Sequence, residues 1–277
     1  MRGLFGVFAG ALAAMAASAA AAAPSVEVDN AVARVIVSPE PRRDVVVEIT
    51  HANPQLPLRV WSFAGRTYVD GGLIGRIADC EGGDAPAVSV RGIGRITGDA
   101  IPQIVIHTPM DAHVSAGGAV WGQVGRTASL DLATGGCGAW QVANVAGRLK
   151  VSTGGSGAVR VGHSGSAELL AAGSGSIATR DVAGPVIAVD VGSGDIDVAS
   201  VSGPLSAKVA GSGRVRVASG HAGPMQATIA GSGDVVFDGN ADTLQANVVG
   251  SGDVRVGHVN GPVTRTIIGS GDVRVGS

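Results

Sequence analysis

The sequence predicts an all-β fold: a single-stranded parallel β-helix, or β-solenoid, with about 19 residues per coil. Three observations predict it. The first is a repeated triplet, Gly-Ser-Gly, opening at Gly155, Gly173, Gly192, Gly211, Gly231, Gly250 and Gly269, with spacings of 18, 19, 19, 20, 19 and 19. The second is a glycine eight residues before most of these triplets, at Gly147, Gly165, Gly184, Gly203, Gly223 and Gly261. Proline follows it at Pro185, Pro204, Pro224 and Pro262. The third is strict apolar alternation between the two markers, the period of a half-buried strand.

The alternation sets the faces. After the triplet, Val254 and Val256 point one way, and Asp253 and Arg255 the other. Ile196 and Val198, Val215 and Val217, and Val273 and Val275 occupy the same places. Before the triplet, Leu205-Ala207-Val209, Met225-Ala227-Ile229 and Leu244-Ala246-Val248 line up, with a small residue in the middle that lets two sheets approach. One such unit cannot bury its apolar face alone, so units must stack. The triplet glycines Gly155, Gly173, Gly192, Gly211, Gly231, Gly250 and Gly269 are the expected corners, because glycine accepts positive φ without a steric penalty. At about 4.8 Å between strands, the chain after the leader would give on the order of 13 coils and a rod roughly 60 Å long.

The chain divides into three parts. Residues 1–23 read as a secretory signal peptide: Arg2, an apolar run from Leu4, then small residues, with cleavage expected within Ala19–Ala23. No cysteine stands near that site to take a lipid, and no other apolar run approaches the ~20 residues that span a bilayer. Export to the periplasm or cell surface of a Gram-negative bacterium is the expectation, with no integral membrane segment after cleavage. Residues 24–110 read as irregular N-terminal β coils or a cap, with a separate small β domain as the alternative. The stretch VRGIGRITG would be a decayed unit. Residues 111–277 are the regular GSG-repeat β-helix.

Composition excludes some classes. Glycine is abundant, 45 of 277 residues, but valine and isoleucine are plentiful and the net charge is only −2. That combination buries a core rather than producing a disordered chain. It also lacks the basic stripe of a nucleic-acid binder or a polybasic membrane-surface protein. There is no P-loop, no dinucleotide fingerprint and no zinc-ligand spacing, so no cofactor is implied.

Four sets of residues are candidates for more than packing. Asp195, Asp234, Asp253 and Asp272 follow the triplet, with Arg214 between the first two. Stacked one coil apart they would repel. Calcium held by Asp234, Asp253 and Asp272 would relieve this. So would backbone N–H donors at each corner, with outward Arg216, Arg255 or Arg274 beside them. The serine column (Ser156, Ser174, Ser193, Ser212, Ser232, Ser251, Ser270) has no recurring histidine to act as base, since His163, His221 and His258 are scattered. It reads as corner structure, and no catalytic residue emerges. Trp121 and Trp140 are 19 apart and should stack in adjacent coils. They are either a platform for a ligand such as sugar rings or core packing, Trp140 falling in the inward column of Val159, Ile196 and Val254. Cys80 and Cys137, the only cysteines, are a disulfide candidate in an exported protein. In one column they would lie about 14 Å apart, beyond the ~7 Å reach of a bridge, unless ADCEGGDAP loops out.

The GSGDV repeats of about 19 residues behind a leader resemble the family described as "putative auto-transporter adhesin, head GIN domain", once a domain of unknown function. The resemblance covers at least Ala112–Ser277. It implies a right-handed β-helix without known catalytic residues and a role in cell adhesion. No membrane β-barrel follows the last coil, so the route to display is left open. The expected function is therefore a non-enzymatic exported adhesin or envelope-interaction module. Its partner would be a cell-surface glycan or protein, or a second copy through the C-terminal edge. An end-to-end assembling structural protein and a polysaccharide-active enzyme are the alternatives. At the C-terminal edge Arg265 replaces the small column of Ala207, Ala227 and Ala246, a charge that disfavours further stacking.

Overall fold

A computed structural model describes residues 23–81 and 86–276. The expected leader cleavage region lies almost wholly outside the described residues. The chain is a β-solenoid of about 9 turns built from parallel coils. This is fewer than the number expected from length alone, because residues 41–110 do not wind as coils of the regular period.

Register follows the repeat. Gly136, Gly155, Gly173, Gly192, Gly211, Gly231, Gly250 and Gly269 pair in sequence, each with its counterpart one coil on. Gly192 shows why the corner must be glycine. Its φ is +138°, and a Cβ built there would collide with the carbonyl oxygen of Gly173. That carbonyl accepts the N–H of Ser193 at 2.9 Å. At the next corner the Gly192 oxygen accepts both Ser212 N–H at 2.8 Å and Gly213 N–H at 3.2 Å. Two donors on one acceptor draw successive corners together, leaving no room for a side chain.

The inward columns form one continuous core. Leu205, Met225 and Leu244 stack in register, as do Ala207, Ala227 and Ala246, and all are buried. Phe237 stands where the neighbouring coils carry Val217 and Val256. Space for its ring comes from Gly239, where a Cβ would lie 2.5 Å from the ring. Each fully buried aliphatic side chain contributes about 1.5–3 kcal/mol, so the columns dominate the stability.

The N-terminal part departs from the period in an ordered way. Strand β1 (Ser25–Glu40) is itself a coil of the solenoid. After it come β2 (Val46–His51), β3 (Arg59–Phe63), β4 (Arg66–Asp70), β5 (Ile77–Glu81), β6 (Ala87–Val90), β7 (Gly94–Thr97), β8 (Gln103–Pro109) and β9 (Asp111–Val124). Strand β1 pairs with β9 on one side and with β4 and β8 on the other, all parallel. Beyond them β3 pairs antiparallel with β4, and β2 antiparallel with β8, covering that end of the rod. Strands β5, β6 and β7 make a separate antiparallel sheet. The stretch VRGIGRITG is thus a hairpin of that sheet (β6–β7), not a decayed coil. The small sheet packs on Val32, Ala119 and Trp121 in a second core with Leu73, Val88 and Ile96.

Candidate functional site

Two outward faces run along the rod. On the strands after the corners from Gly192 onward, the first outward position is charged. Asp195, Arg214, Asp234, Asp253 and Asp272 form one ladder. The strands before each corner present a nearly uncharged row instead. Ser115, Ala133, Ser152, Leu170, Val189, Lys208, Thr228, Asn247 and Thr266 follow one another coil by coil.

The acidic ladder is satisfied from within. Asp253 N–H donates to Asp234 Oδ1 at 3.2 Å, and Asp272 N–H donates to Asp253 Oδ1 at 3.1 Å. The side chain of Asp272 meets Arg274 Nε at 2.8 Å, and this bond with the Val273 N–H holds its carboxyl below the usual range. Of the carboxylates expected as calcium ligands, Asp234 and Asp253 thus accept hydrogen bonds from the next coil, and Asp272 from its own strand. Among the described residues, no three His, Cys, Asp or Glu side chains converge as a metal site. The corner serines are exposed. Histidines are engaged elsewhere: His163 with Asp181 at 3.0 Å, and His221 with Asp242 at 3.4 Å. Arg265 pairs with Ala246 in the last coil and is exposed.

The tryptophan platform is corrected by the structure. Trp121 is 8% and Trp140 3% exposed, so neither offers a surface to a ligand. They do not stack either. Trp140 is opposite Gly122, one position beyond Trp121, and a Cβ on Gly122 would strike its ring. The local offset between these coils is 18, not 19, and in a strand a one-residue slip turns a side chain to the other face. Trp140 therefore enters the main core, and Trp121 is covered by the β5–β7 sheet.

Cys80 and Cys137 are brought together as a disulfide, with 6.0 Å between Cα atoms. Strand β5 carries Cys80 out of any coil column, which closes the distance that a common column would leave. The bond ties the small sheet to the coil strand Ser129–Cys137.

Sequence reasoning missed the exposed aromatic residues. Trp61 and Tyr68 stack across β3 and β4 with centroids 5.3 Å apart and 13° between planes. Trp61 is 48% and Phe63 74% exposed. The available signal was RVWSF-AG-RTYVD, two alternating runs around a two-residue turn. Ala64 and Gly65 both adopt positive φ, 50° and 80°, as a tight hairpin requires, but alanine at the first place hides the usual signature.

It missed Asp190 as well. This side chain is fully buried in the column of Ala171 and Val209, and neither carboxylate oxygen has a hydrogen-bond partner. Burial, and then the nearby charge of Asp195, push its carboxyl up to about 6.

With the geometry in place, the chain can be compared with known protein families. Residues 167–277 match the family model "Putative auto-transporter adhesin, head GIN domain". The match starts at Ala167, inside the regular coils. No curated protein and no solved structure matches the chain.

Proposed function

We propose that the protein is an exported, non-enzymatic adhesin: a rigid rod whose outward ladders engage a partner at the periplasm or cell surface. One observation carries this reading. The coils matched by the adhesin-head family hold an outward row in register, Leu170, Val189, Lys208, Thr228, Asn247 and Thr266, in which Lys208 alone is charged. A row locked by hydrogen-bonded corners is presented without the ordering cost of a flexible surface. The polar columns support a binding role over catalysis, since the Asp ladder is occupied by backbone donors and the corner serines lack a base. Immobilised protein should retain bacterial cells or envelope fragments well above an albumin-coated surface. Retention equal to albumin would overturn the reading.

A second reading, self-association through the last coil, has its own observation. Val263, Ile267 and Ile268 are exposed along Val263–Gly269, whereas β2 and β3 cover the opposite end. Solution mass rising with concentration, and rising further in Arg265→Ala, would support it. A constant mass in both proteins would remove it.

A further inference from the structure

We propose that the exposed aromatic pair at the N-terminal end of the nearly uncharged row is a binding site for a neutral, hexose-containing glycan chain. This deepens the adhesive reading and rests on it for the biological role, though not for the site.

The argument begins with register. Trp61 is opposite Tyr68, Tyr68 opposite Glu27, and Glu27 opposite Ser115. The aromatic pair therefore heads the same outward row that continues as Ala133, Ser152 and Leu170 down the rod. Among the described residues β3 pairs only with β4, so one face of the Trp61 indole is covered by Tyr68 and the other lies at the sheet edge. Phe63, two residues on, is on the same side of the strand. Soluble proteins seldom leave three large rings in one exposed patch without a use.

Beside the rings lies an open groove of about 470 Å³ lined by Ser25, Glu27, Arg66, His113, Ser115 and Asp131. Arg66 and the serine hydroxyls supply donors, and the Glu27 and Asp131 carboxylates supply acceptors. Arg66 Nη1 meets Glu27 Oε2 at 3.4 Å. Small side chains at Ser115 and Ala133 keep its floor low. A pyranose ring has an apolar C–H face and a polar rim of hydroxyls. The rings suit the first, and the carboxylates with Arg66 suit the second. Few, fixed polar groups around an apolar surface are the usual composition of a ligand site.

Charge narrows the class. Around the rings and the groove, Glu27, Asp29, Asp70 and Asp131 outnumber Arg59, Arg66 and Lys150, which is opposite Asp131. A uronate, sulfated or phosphorylated chain would meet like charge, which disfavours it. A neutral chain would not.

The test uses the purified protein with cellohexaose, chitohexaose, maltohexaose and mannohexaose as probes, and hexagalacturonate as the charged control. Titration calorimetry reads affinity, and tryptophan emission reports the site, because Trp121 and Trp140 are buried. At least one neutral hexasaccharide should bind and alter emission, with hexagalacturonate much weaker. Trp61→Ala should lower affinity at least tenfold while leaving the melting temperature within about a degree, since the residue is exposed; Phe63→Ala is the second variant. Thr228→Ala, farther along the same row, should bind as the wild type. Failure of every neutral probe, or unchanged affinity in both aromatic variants, overturns the proposal. So does a dimer that Trp61→Ala converts to monomer, which would make the patch a self-contact. Cell retention by Trp61→Ala is measured in parallel. Retention equal to wild type, with glycan binding lost, would overturn the glycan site's adhesive role while leaving the adhesive reading in place.

Discussion

Replacing Asp190 by valine should stabilise the protein at neutral pH and remove a pH dependence between about 4 and 6. The residue is 0% exposed, and its two oxygens have no partner. Its column continues as Val209, Ile229 and Val248, so valine has the shape the neighbouring coils already accept. The carboxyl is pushed from 3.8 up to about 6, first by burial and then by Asp195, with the nearby Gly194 N–H, outside hydrogen-bond geometry, as a smaller opposing influence. The sign follows from linkage. Below 3.8 the group is protonated in both states and costs nothing further. Between 3.8 and about 6 the unfolded chain ionises while the folded chain holds its proton, so stability falls as pH rises. Above about 6 both states are ionised and the loss is complete. The difference of about 2.2 units, at 1.36 kcal/mol each, makes the loss about 3 kcal/mol.

The assay is denaturant unfolding at pH 4, 5, 6, 7 and 8 for wild type, Asp190→Asn and Asp190→Val. Other carboxylates titrate in this range, so the informative quantity is wild type minus variant. That difference should widen by about 2.4 kcal/mol from pH 4 to pH 7 for both variants, about 0.6 kcal/mol of the loss being already present at pH 4. Valine should exceed asparagine at every pH, because asparagine still buries an unpaired polar group, at about 1–3 kcal/mol. A wild-type–variant difference independent of pH would refute the assignment of the raised carboxyl to Asp190. A valine variant less stable than wild type at pH 8 would refute the claim that the burial is unfavourable.

Three further outcomes are expected. Gly192→Ala should destabilise by 2 kcal/mol or more in a urea melt, because its φ of +138° and the Gly173 carbonyl both oppose a Cβ, whereas Ser193→Ala should stay within about 0.5 kcal/mol. Cys80→Ser should cost about 4 kcal/mol, the loop-closure value for a separation of 57 residues, and thiol labelling of the unfolded wild type should find no free cysteine until reductant is added. Asp253→Ala should cost about 1 kcal/mol by removing the acceptor for Asp272 N–H, and millimolar calcium should leave the wild-type melting temperature unchanged; a rise of several degrees that Asp253→Ala abolishes would reinstate the ion.

The regular coils were legible because three levels agree there. Corner glycines, alternating apolar residues and the fixed spacing all specify the same register, as Ala207, Ala227 and Ala246 show. The N-terminal part was not legible, because its strands pair by hairpins instead of by period. Strand β1 reads as irregular, yet it is a full coil whose successor is β9, with Ala31 opposite Gly118, 87 residues on. Extrapolating the period through that excursion is what inflated the coil count. The tryptophans failed for a related reason. A spacing of 19 predicts stacking only where the local offset is also 19, and between Gly118 and Gly136 it is 18.

This contrast bears on where recognition resides. Within the repeat, each outward residue has a near-equivalent one coil away, and each corner is held by the coil before it. Such positions yield a straight face, but they cannot differ much without breaking the stack. The excursions are free of that constraint. They carry the exposed Trp61 and Phe63, the Arg66–Glu27 pair and the disulfide-held sheet that hides Trp121. A strand added antiparallel at the end of a rod can place aromatic rings beside the nearly uncharged row without disturbing any coil beneath it. The residues that distinguish one partner from another are therefore expected at the covered end, and the repeat supplies the rigid length that holds them.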